Sequence, residues 1–249
     1  MRVSPHHLAI IMDGNRRWAR GRGLDVLRGH SNGAERLNAI CREAYISGVS
    51  WLTVFAFSTE NWSRPSAEVK GLMGLMRRFL MSDLDRLADE NVKFRVIGQR
   101  DKLDDEIIKL VAAAEERTAA NSGLNLTVAL DYGGRLELVK ATQQLAREAV
   151  NGLLNPDDIT EDVVKSRMFS AALPQIDLLI RTGGENRISN FMLWDLSYAE
   201  LFFTNVYWPD FSTTDLHAAL DSFAMRERRF GGDTVPQNDS FKPIPSGRR

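Results

Sequence analysis

The stretch "LAIIMDGNRRWARG", residues 8–21, decides the fold. Its first five residues, Leu8 to Met12, are a short unbroken apolar run, which reads as a strand buried on both faces. The run stops at Asp13-Gly14-Asn15, and Arg16, Arg17 and Trp18 follow at once. In open parallel sheets, ligands sit beyond the carboxyl ends of the strands. A carboxylate, a glycine and clustered positive charge at such an end therefore mark a binding site.

The same alternation of apolar strand and periodic helix continues outward from this stretch. Residues 31–47 read as a helix stopped by Gly48, and the aromatic and β-branched run 51–57 as a strand. Ser66 after Pro65 predicts an N-cap, with one long helix running to about Asp89. Strands are predicted at 92–98, 124–130, 177–181 and 201–208. Helices are predicted at 102–120, 135–150, from about Ser189, and at 213–225. Strands alternating with helices imply an α/β domain with a mainly parallel sheet flanked by helices. No internal repeat or linker interrupts 6–230, so a single domain is expected there. The tail 231–249 is rich in Gly, Pro and polar residues and is expected to be mobile.

Bulk properties set limits on function. The 249 residues carry a formal net charge of −1, which gives the whole molecule no case for nucleic-acid binding. The single Cys41 excludes an internal disulfide framework and fits a reducing compartment. The N-terminus has no signal-peptide core, and no apolar run reaches the roughly 18 residues of a membrane span. A cytoplasmic protein is expected, with room for peripheral membrane contact.

Four strand ends carry arginine, glycine and hydroxyl or amide groups. These are 13–17, 58–64, 131–135 and 181–189. Fork-shaped donors and backbone amides of this kind compose an anion site. Gly14 lets backbone approach a ligand. Asp13 would repel a phosphate unless a cation lay between them, which points to Mg²⁺ held by one carboxylate and substrate phosphates. Asp13 also has a plainer reading as a helix N-cap. No GxxxxGK[ST] loop occurs, and no GxGxxG follows a strand. The acidic run 157–162 is read as charge complementing a helix N-terminus rather than as a metal cluster. His6 and His7 are expected to be exposed and His217 structural. His30 is the histidine with a functional reading beside a structural one.

Several long motifs then occur in order: "HLAIIMDGNRRWA", "GH" at 29–30, "FAFSTENWSRP", "YGGR", "LLIRTGGENRISNFMLWDLSYAELFF", "WPDF" and "RERRFGG". Together they resemble the bacterial cis-prenyltransferases, of which the undecaprenyl diphosphate synthases are the best known. The resemblance spans about residues 7–232. It implies a six-stranded parallel sheet, a homodimer, and Mg²⁺-dependent condensation of isopentenyl diphosphate with an allylic diphosphate such as farnesyl diphosphate. The 6–230 region would then be the catalytic domain, and the product a Z-polyprenyl diphosphate.

Residue by residue, the resemblance makes Asp13 the catalytic, metal-associated carboxylate and adds Glu200, reaching the metal region across the dimer. Gly14, Asn15, Arg16, Arg17, Trp18, His30, Asn61, Trp62 and Arg64 fall on the allylic-diphosphate side. Arg181, Arg187 and Ser189 fall on the isopentenyl-diphosphate side. Ser58, Asn61 and Trp62 belong to an active-site loop, with Glu68 just after it. The proton acceptor stays open among Asn15, Ser58, water and the substrate's own phosphate. The Leu and Met stripe of 69–87, with Val54, Phe55 and Phe57, would line a hydrocarbon channel or simply pack the core.

Three positions depart from the family pattern. Val26 stands where many relatives have an arginine, Arg16 where glycine is common, and Asp131 where asparagine is usual. Val26→Arg is therefore expected to alter affinity for the allylic substrate. A divergent paralogue with a short or branched product, and a non-catalytic prenyl-binding subunit, are the competing readings. Retention of Asp13, Arg17 and the arginine pair favours an enzyme.

Overall fold

The computed structural model describes residues 4–82 and 84–226. Strand β1 (His7–Ile11) is buried along its whole length, as an unbroken apolar run requires. Strand β2 (Trp51–Ser58) pairs with it on one side and β5 (Leu178–Arg181) on the other, both parallel. Strands β3 (Lys93–Ile97) and β4 (Asn125–Tyr132) extend the sheet past β2, and β6 (Glu200–Phe203) forms the opposite edge. The order is β3-β4-β2-β1-β5-β6, with every neighbour parallel. All six carboxyl ends therefore open on one rim.

The strand period of two sorts side chains between two layers. Leu8 and Ile10 join one apolar cluster, while Ala9 and Ile11 join the other. Helices α2 (Val26–Ile46), α3 (Ser66–Ser82), α5 (Asp105–Arg117) and α8 (Thr213–Ala224) cover the first face through Leu37, Ile40, Phe79, Ile107 and Leu216. The second face packs under Ile176, Phe191, Met192 and Leu196. A register shift between Phe55 and Phe57 interrupts the β2–β4 ladder. It turns Phe57 onto the first face, while Phe55 stays on the second.

Four element boundaries differ from the sequence reading, each for a local reason. Helix α2 begins at Val26, because the Asp25 carboxylate accepts from the Leu27 amide at 2.8 Å and caps it there. The expected 66–89 helix is described as α3 and a separate α4 (Leu84–Asp89). No helix starts at Ser189. Ser189, Asn190 and Met192 take φ values of 50°, 62° and 43°, which a right-handed helix cannot hold. Strand β6 stops at Phe203, because the Thr204 and Val206 carbonyls accept from the Gly184 and Gly183 amides instead.

The acidic run behaves as charge at helix starts. Asn155 caps a 3₁₀ turn (Pro156–Asp158), and Thr160 caps the short α7 (Glu161–Lys165). His7 corrects the expectation of exposure, since it is fully buried. Its ring nitrogens lie 2.8 Å from the Pro174 carbonyl and from the Thr53 hydroxyl. His217 is structural, 2.7 Å from Glu43. Helix α6 (Gly134–Val150) completes the elements near the rim. The tail 231–249, and the RERRFGG motif after Arg226, lie outside the described residues. No described helix is long and apolar enough to cross a membrane.

Candidate active site

The rim is organised around Asp13, two residues beyond β1. Gly14 follows with φ 105°, a conformation that L side chains resist, and a Cβ there would sit 2.6 Å from Tyr207. That turn directs the Gly14 amide back to Asp13 Oδ1 at 2.6 Å. The carboxylate is thus turned toward its own loop and does not cap helix α1 (Asn15–Arg20), whose N-cap is Gly14 with no side-chain bond. The plainer reading of Asp13 as a cap is not what the chain does. With only six residues, α1 has little dipole of its own, so its charged side chains dominate the local field.

Asp13 is shared between two arginines. Its Oδ2 lies 3.0 Å from Arg181 Nη2 and 3.3 Å from Arg17 Nη2. Arg181, the last residue of β5, also donates to Ser189 Oγ at 2.6 Å and to the Arg187 carbonyl. The left-handed turn at Ser189 brings that hydroxyl onto the guanidinium. Arg187 pairs with Glu185 at 2.5 Å, and the same carboxylate lies 3.6 Å from Arg17.

On the other side of Asp13, α1 crosses α2 at close range. A Cβ on Gly29 would meet the Asn15 carbonyl at 2.2 Å, so only glycine permits the crossing. It sets His30 beside Asn15, both lining the space next to Asp13. Burial holds the His30 imidazole down at about 4; Arg64 and Arg16 lower it further while Glu68 opposes them. It is neutral at physiological pH. Its Nε2 and the Asn15 Oδ1 are buried with no hydrogen-bond partner. Glu68 bridges Arg64 at 3.1 Å and Arg16 at 3.5 Å.

Two adjoining cavities result. The smaller, about 300 Å³, is lined by Asp13, Asn15, Arg16, Arg17, Arg20, His30 and Arg64, with Met12 and Gly14. The larger, about 670 Å³, takes Asp13, Asn15, His30, Ser58, Asn61, Arg64, Arg135, Arg181, Arg187 and Ser189 from the rim. Its apolar lining includes Leu37, Val54, Phe57, Leu72, Met73, Met76, Phe79, Val128 and Leu130. Polar groups at one end of an apolar cavity suit an anionic head carrying a hydrocarbon.

Most of the expected residues converge here, and three do not. Trp18 lies outside both linings and donates from Nε1 to Asp210 at 2.7 Å. Trp62 also lies outside them; it donates to Asp131 at 2.7 Å and packs edge-on against Phe57. Glu200 opens β6 opposite Leu178, at the far end of the strand from the rim, and pairs with Arg226 at 2.5 Å. Val26 and Arg28 line neither cavity. The sequence reading missed Arg20, which spacing of three and four from Arg17 and Arg16 places on the same helix face. Arg135 falls within the 131–135 strand end named from the sequence, whereas Asn190, one residue beyond the 181–189 stretch, was missed.

Among the described residues no group of three or more His, Cys, Asp or Glu side chains could hold a metal by itself. Asp13, a lone carboxylate between two arginine groups, fits the kind of donor set in which one carboxylate and substrate phosphates complete a Mg²⁺ shell.

Known proteins match this chain over most of its length. Residues 11–231 match the family model described as "Putative undecaprenyl diphosphate synthase". An isoprenyl transferase of Brucella suis is 49% identical over 228 residues, 92% of this chain and 90% of that protein. One from Geobacter sulfurreducens is 47% identical, covering 94% of this chain and 95% of its own. Among solved structures, lavandulyl diphosphate synthase from Lavandula x intermedia, in complex with dimethylallyl diphosphate, superposes with a TM-score of 0.89 at 37% identity, over 92% of this chain and 98% of that one. A probable undecaprenyl diphosphate synthase from Campylobacter jejuni gives 0.76 at 30% identity, over 93% of this chain and all of that one.

Proposed function

Because this chain belongs to the undecaprenyl diphosphate synthase family of prenyltransferases, we propose that it condenses isopentenyl diphosphate with an allylic diphosphate, farnesyl diphosphate in the first instance, to give a Z-polyprenyl diphosphate. The observation that carries this reading is the division of the rim. Arg16, Arg17, Arg20 and Arg64 line the smaller cavity, Arg181, Arg187 and Ser189 line the larger apolar one, and Asp13, Asn15, His30 and Arg64 border both.

In the reaction the allylic C–O bond breaks and the diphosphate departs with the electron pair. Arg16, Arg17, Arg20, Arg64 and the neutral His30 stabilise the charge that develops there. Arg181, Arg187 and Ser189 hold the second diphosphate so that the isopentenyl alkene faces the allylic carbon. The new C–C bond forms, and the proton lost from the isopentenyl unit passes to a diphosphate oxygen or a water in the space that Asn15 and Ser58 border. Asp13 would hold Mg²⁺, which when bound supplies Lewis-acid stabilisation of the leaving group. The apolar cavity takes the growing chain, and its methionines adapt to varied lengths.

A homodimer is part of the proposal. Glu200, remote from its own chain's rim, would serve the metal region only from a partner copy. The protein would work in the cytoplasm and meet the membrane through its product. A second reading, a short product, is favoured by the superposition on lavandulyl diphosphate synthase.

The test is incubation with Mg²⁺, farnesyl diphosphate and labelled isopentenyl diphosphate, with the product resolved by chromatography. A long Z-polyprenyl ladder is expected. A single short product would move the assignment to the second reading. No product from farnesyl, geranyl or dimethylallyl diphosphate would overturn catalysis, and full activity in chelator would remove Mg²⁺.

A further inference from the structure

Behind the rim, one carboxylate is used by nothing in the mechanism above. Asp131 lies near the end of β4 and is 1% exposed. Its backbone has φ 48°, a left-handed conformation that Asn and Asp adopt more readily than other side chains. Oδ1 accepts the Trp62 indole N–H at 2.7 Å, while Oδ2 is buried with no partner. A buried carboxylate with an unanswered oxygen is costly to keep ionised.

What it holds is the only tryptophan of the Thr59–Ser63 turn. The Trp62 ring also packs on Phe57 with centroids 5.0 Å apart, and Lys102 Nζ stands 6.0 Å from the ring centroid. The turn is closed on itself by a reciprocal pair: Ser58 N–H donates to Asn61 Oδ1 at 3.1 Å, and the Ser58 hydroxyl accepts from the Asn61 amide. It is therefore a small closed unit, pinned to the sheet through Trp62 and to the loop after β5 through the Asn190 side-chain amide on Glu60 at 2.9 Å. Ser58, Asn61 and Arg64, on either side of the indole, all line the larger cavity, and Arg64 lines the smaller one too.

We propose that Asp131 is a positioning residue for prenyl transfer: its bond to the Trp62 indole fixes the Thr59–Ser63 turn, and with it the placement of Ser58, Asn61 and Arg64 along the substrate cavity. The proposal rests on the reading of that cavity as the prenyl-transfer site. Burial raises the Asp131 carboxyl above its ordinary range, opposed by the Trp62 bond and by Lys102 and assisted by Asp101. Lys102 and Asp101 both lie on the turn after β3. As pH falls through that raised value the carboxylate takes a proton, the charge-assisted bond becomes a neutral one, and the turn loosens.

Two variants and two readouts test it. Asp131→Gly fits the left-handed backbone and removes the acceptor. It is expected to raise KM for farnesyl diphosphate by about tenfold or more. Asp131→Asn keeps an acceptor oxygen and should stay within about threefold of the wild type near neutrality, with the hydrogen bond no longer charge-assisted. On acidification the wild-type KM should climb, while Asp131→Asn lacks that limb of the profile.

The second readout needs no turnover. The Trp62 indole N–H resonance, assigned through Trp62→Phe, should shift with pH in the wild type and stay fixed in Asp131→Asn. It would stand even if the assay of prenyl transfer gave no product, so the two readings fail separately. Wild-type KM in Asp131→Gly, equal loss in both variants, or an indole resonance that ignores pH in the wild type would each overturn the proposal.

Discussion

The two sides of Asp13 are built differently. Arg181 is a strand-end residue whose side chain is 5% exposed, and its guanidinium is already committed to Asp13, Ser189 and the Arg187 carbonyl. Arg17 rides on a six-residue helix, is 42% exposed, and faces Asp13 and Glu185 at 3.3 Å and 3.6 Å. Removing one partner of a buried pair costs roughly 3–5 kcal/mol, whereas an exposed pair is worth about 0–1 kcal/mol. Arg181 is thus set by the fold, whereas Arg17 is a loosely held charge whose partner Glu185 an incoming diphosphate must displace. A site that keeps one substrate in register while the other is exchanged for a longer chain has use for that asymmetry.

The sharpest break of this picture is at its centre. Asp13→Asn should lower kcat by at least the order of 10²–10³ that follows loss of one group stabilising the transition state. Isopentenyl diphosphate binding, followed by calorimetry, should be kept or tightened, because Arg181 loses a competing carboxylate at 3.0 Å. Normal turnover would remove Asp13 from the chemistry. Next in size is the contrast between Arg181→Lys and Arg17→Lys. Lysine is a point charge without the fork that serves Asp13 and Ser189 together. Arg181→Lys is expected to cost roughly 10²-fold in kcat/KM and to lower Tm, and Arg17→Lys about tenfold with Tm unchanged. Equal effects would erase the distinction between a fixed and an adaptable group.

A smaller effect comes from two buried histidines, His30 beside Asp13 and His7 at the opposite end of β1. Burial lowers both His7 and His30 from 6.5 to about 4. An imidazole that charges more easily in the unfolded chain destabilises the fold as pH falls. Their contribution is complete above about pH 6.5 and is lost progressively toward pH 4. A Tm profile should therefore decline across that window, less steeply in His30→Gln. A profile unchanged by His30→Gln would mean that its imidazole is charged in the fold.

Most of the sheet was legible because the central strands are apolar runs and the edge strand β3, with Lys93 and Arg95, alternates, and the rim was legible because its residues directly follow those strands. Asp13, Arg17 and Arg181 needed no tertiary information. Trp62 and Trp18 did, since an indole ring carries no sign in the sequence of whether it meets a ligand or an aspartate such as Asp131 or Asp210. Ser189 stands at the rim, as its place after β5 and the family resemblance imply, but no helix begins there, and only the three left-handed residues reveal the turn. His7 looked terminal and exposed, but its register partner Trp51 and the Pro174 carbonyl and Thr53 hydroxyl that its ring meets lie far away in the chain.

The least effect is expected where the sequence alone suggested a large one. The resemblance of the sequence to the family made Val26→Arg a candidate for changed affinity. In the fold Val26 is the first residue of α2, next to the capping Asp25, and lines neither cavity. The smaller cavity draws its cations from Arg16, Arg17, Arg20 and Arg64 instead, so its positive charge is supplied from α1 and from the segment before α3. A new cation at a helix start is mildly unfavourable, by about 0.3–1 kcal/mol, and it would add to a group already rich in arginine. Val26→Arg should therefore shift KM for farnesyl diphosphate by less than about threefold and lower Tm slightly. Arg16→Gly in the same assay should weaken binding by more than Val26→Arg strengthens it. The reverse order would mean that the adaptable group extends onto α2, and that Arg16 serves Glu68 rather than the substrate.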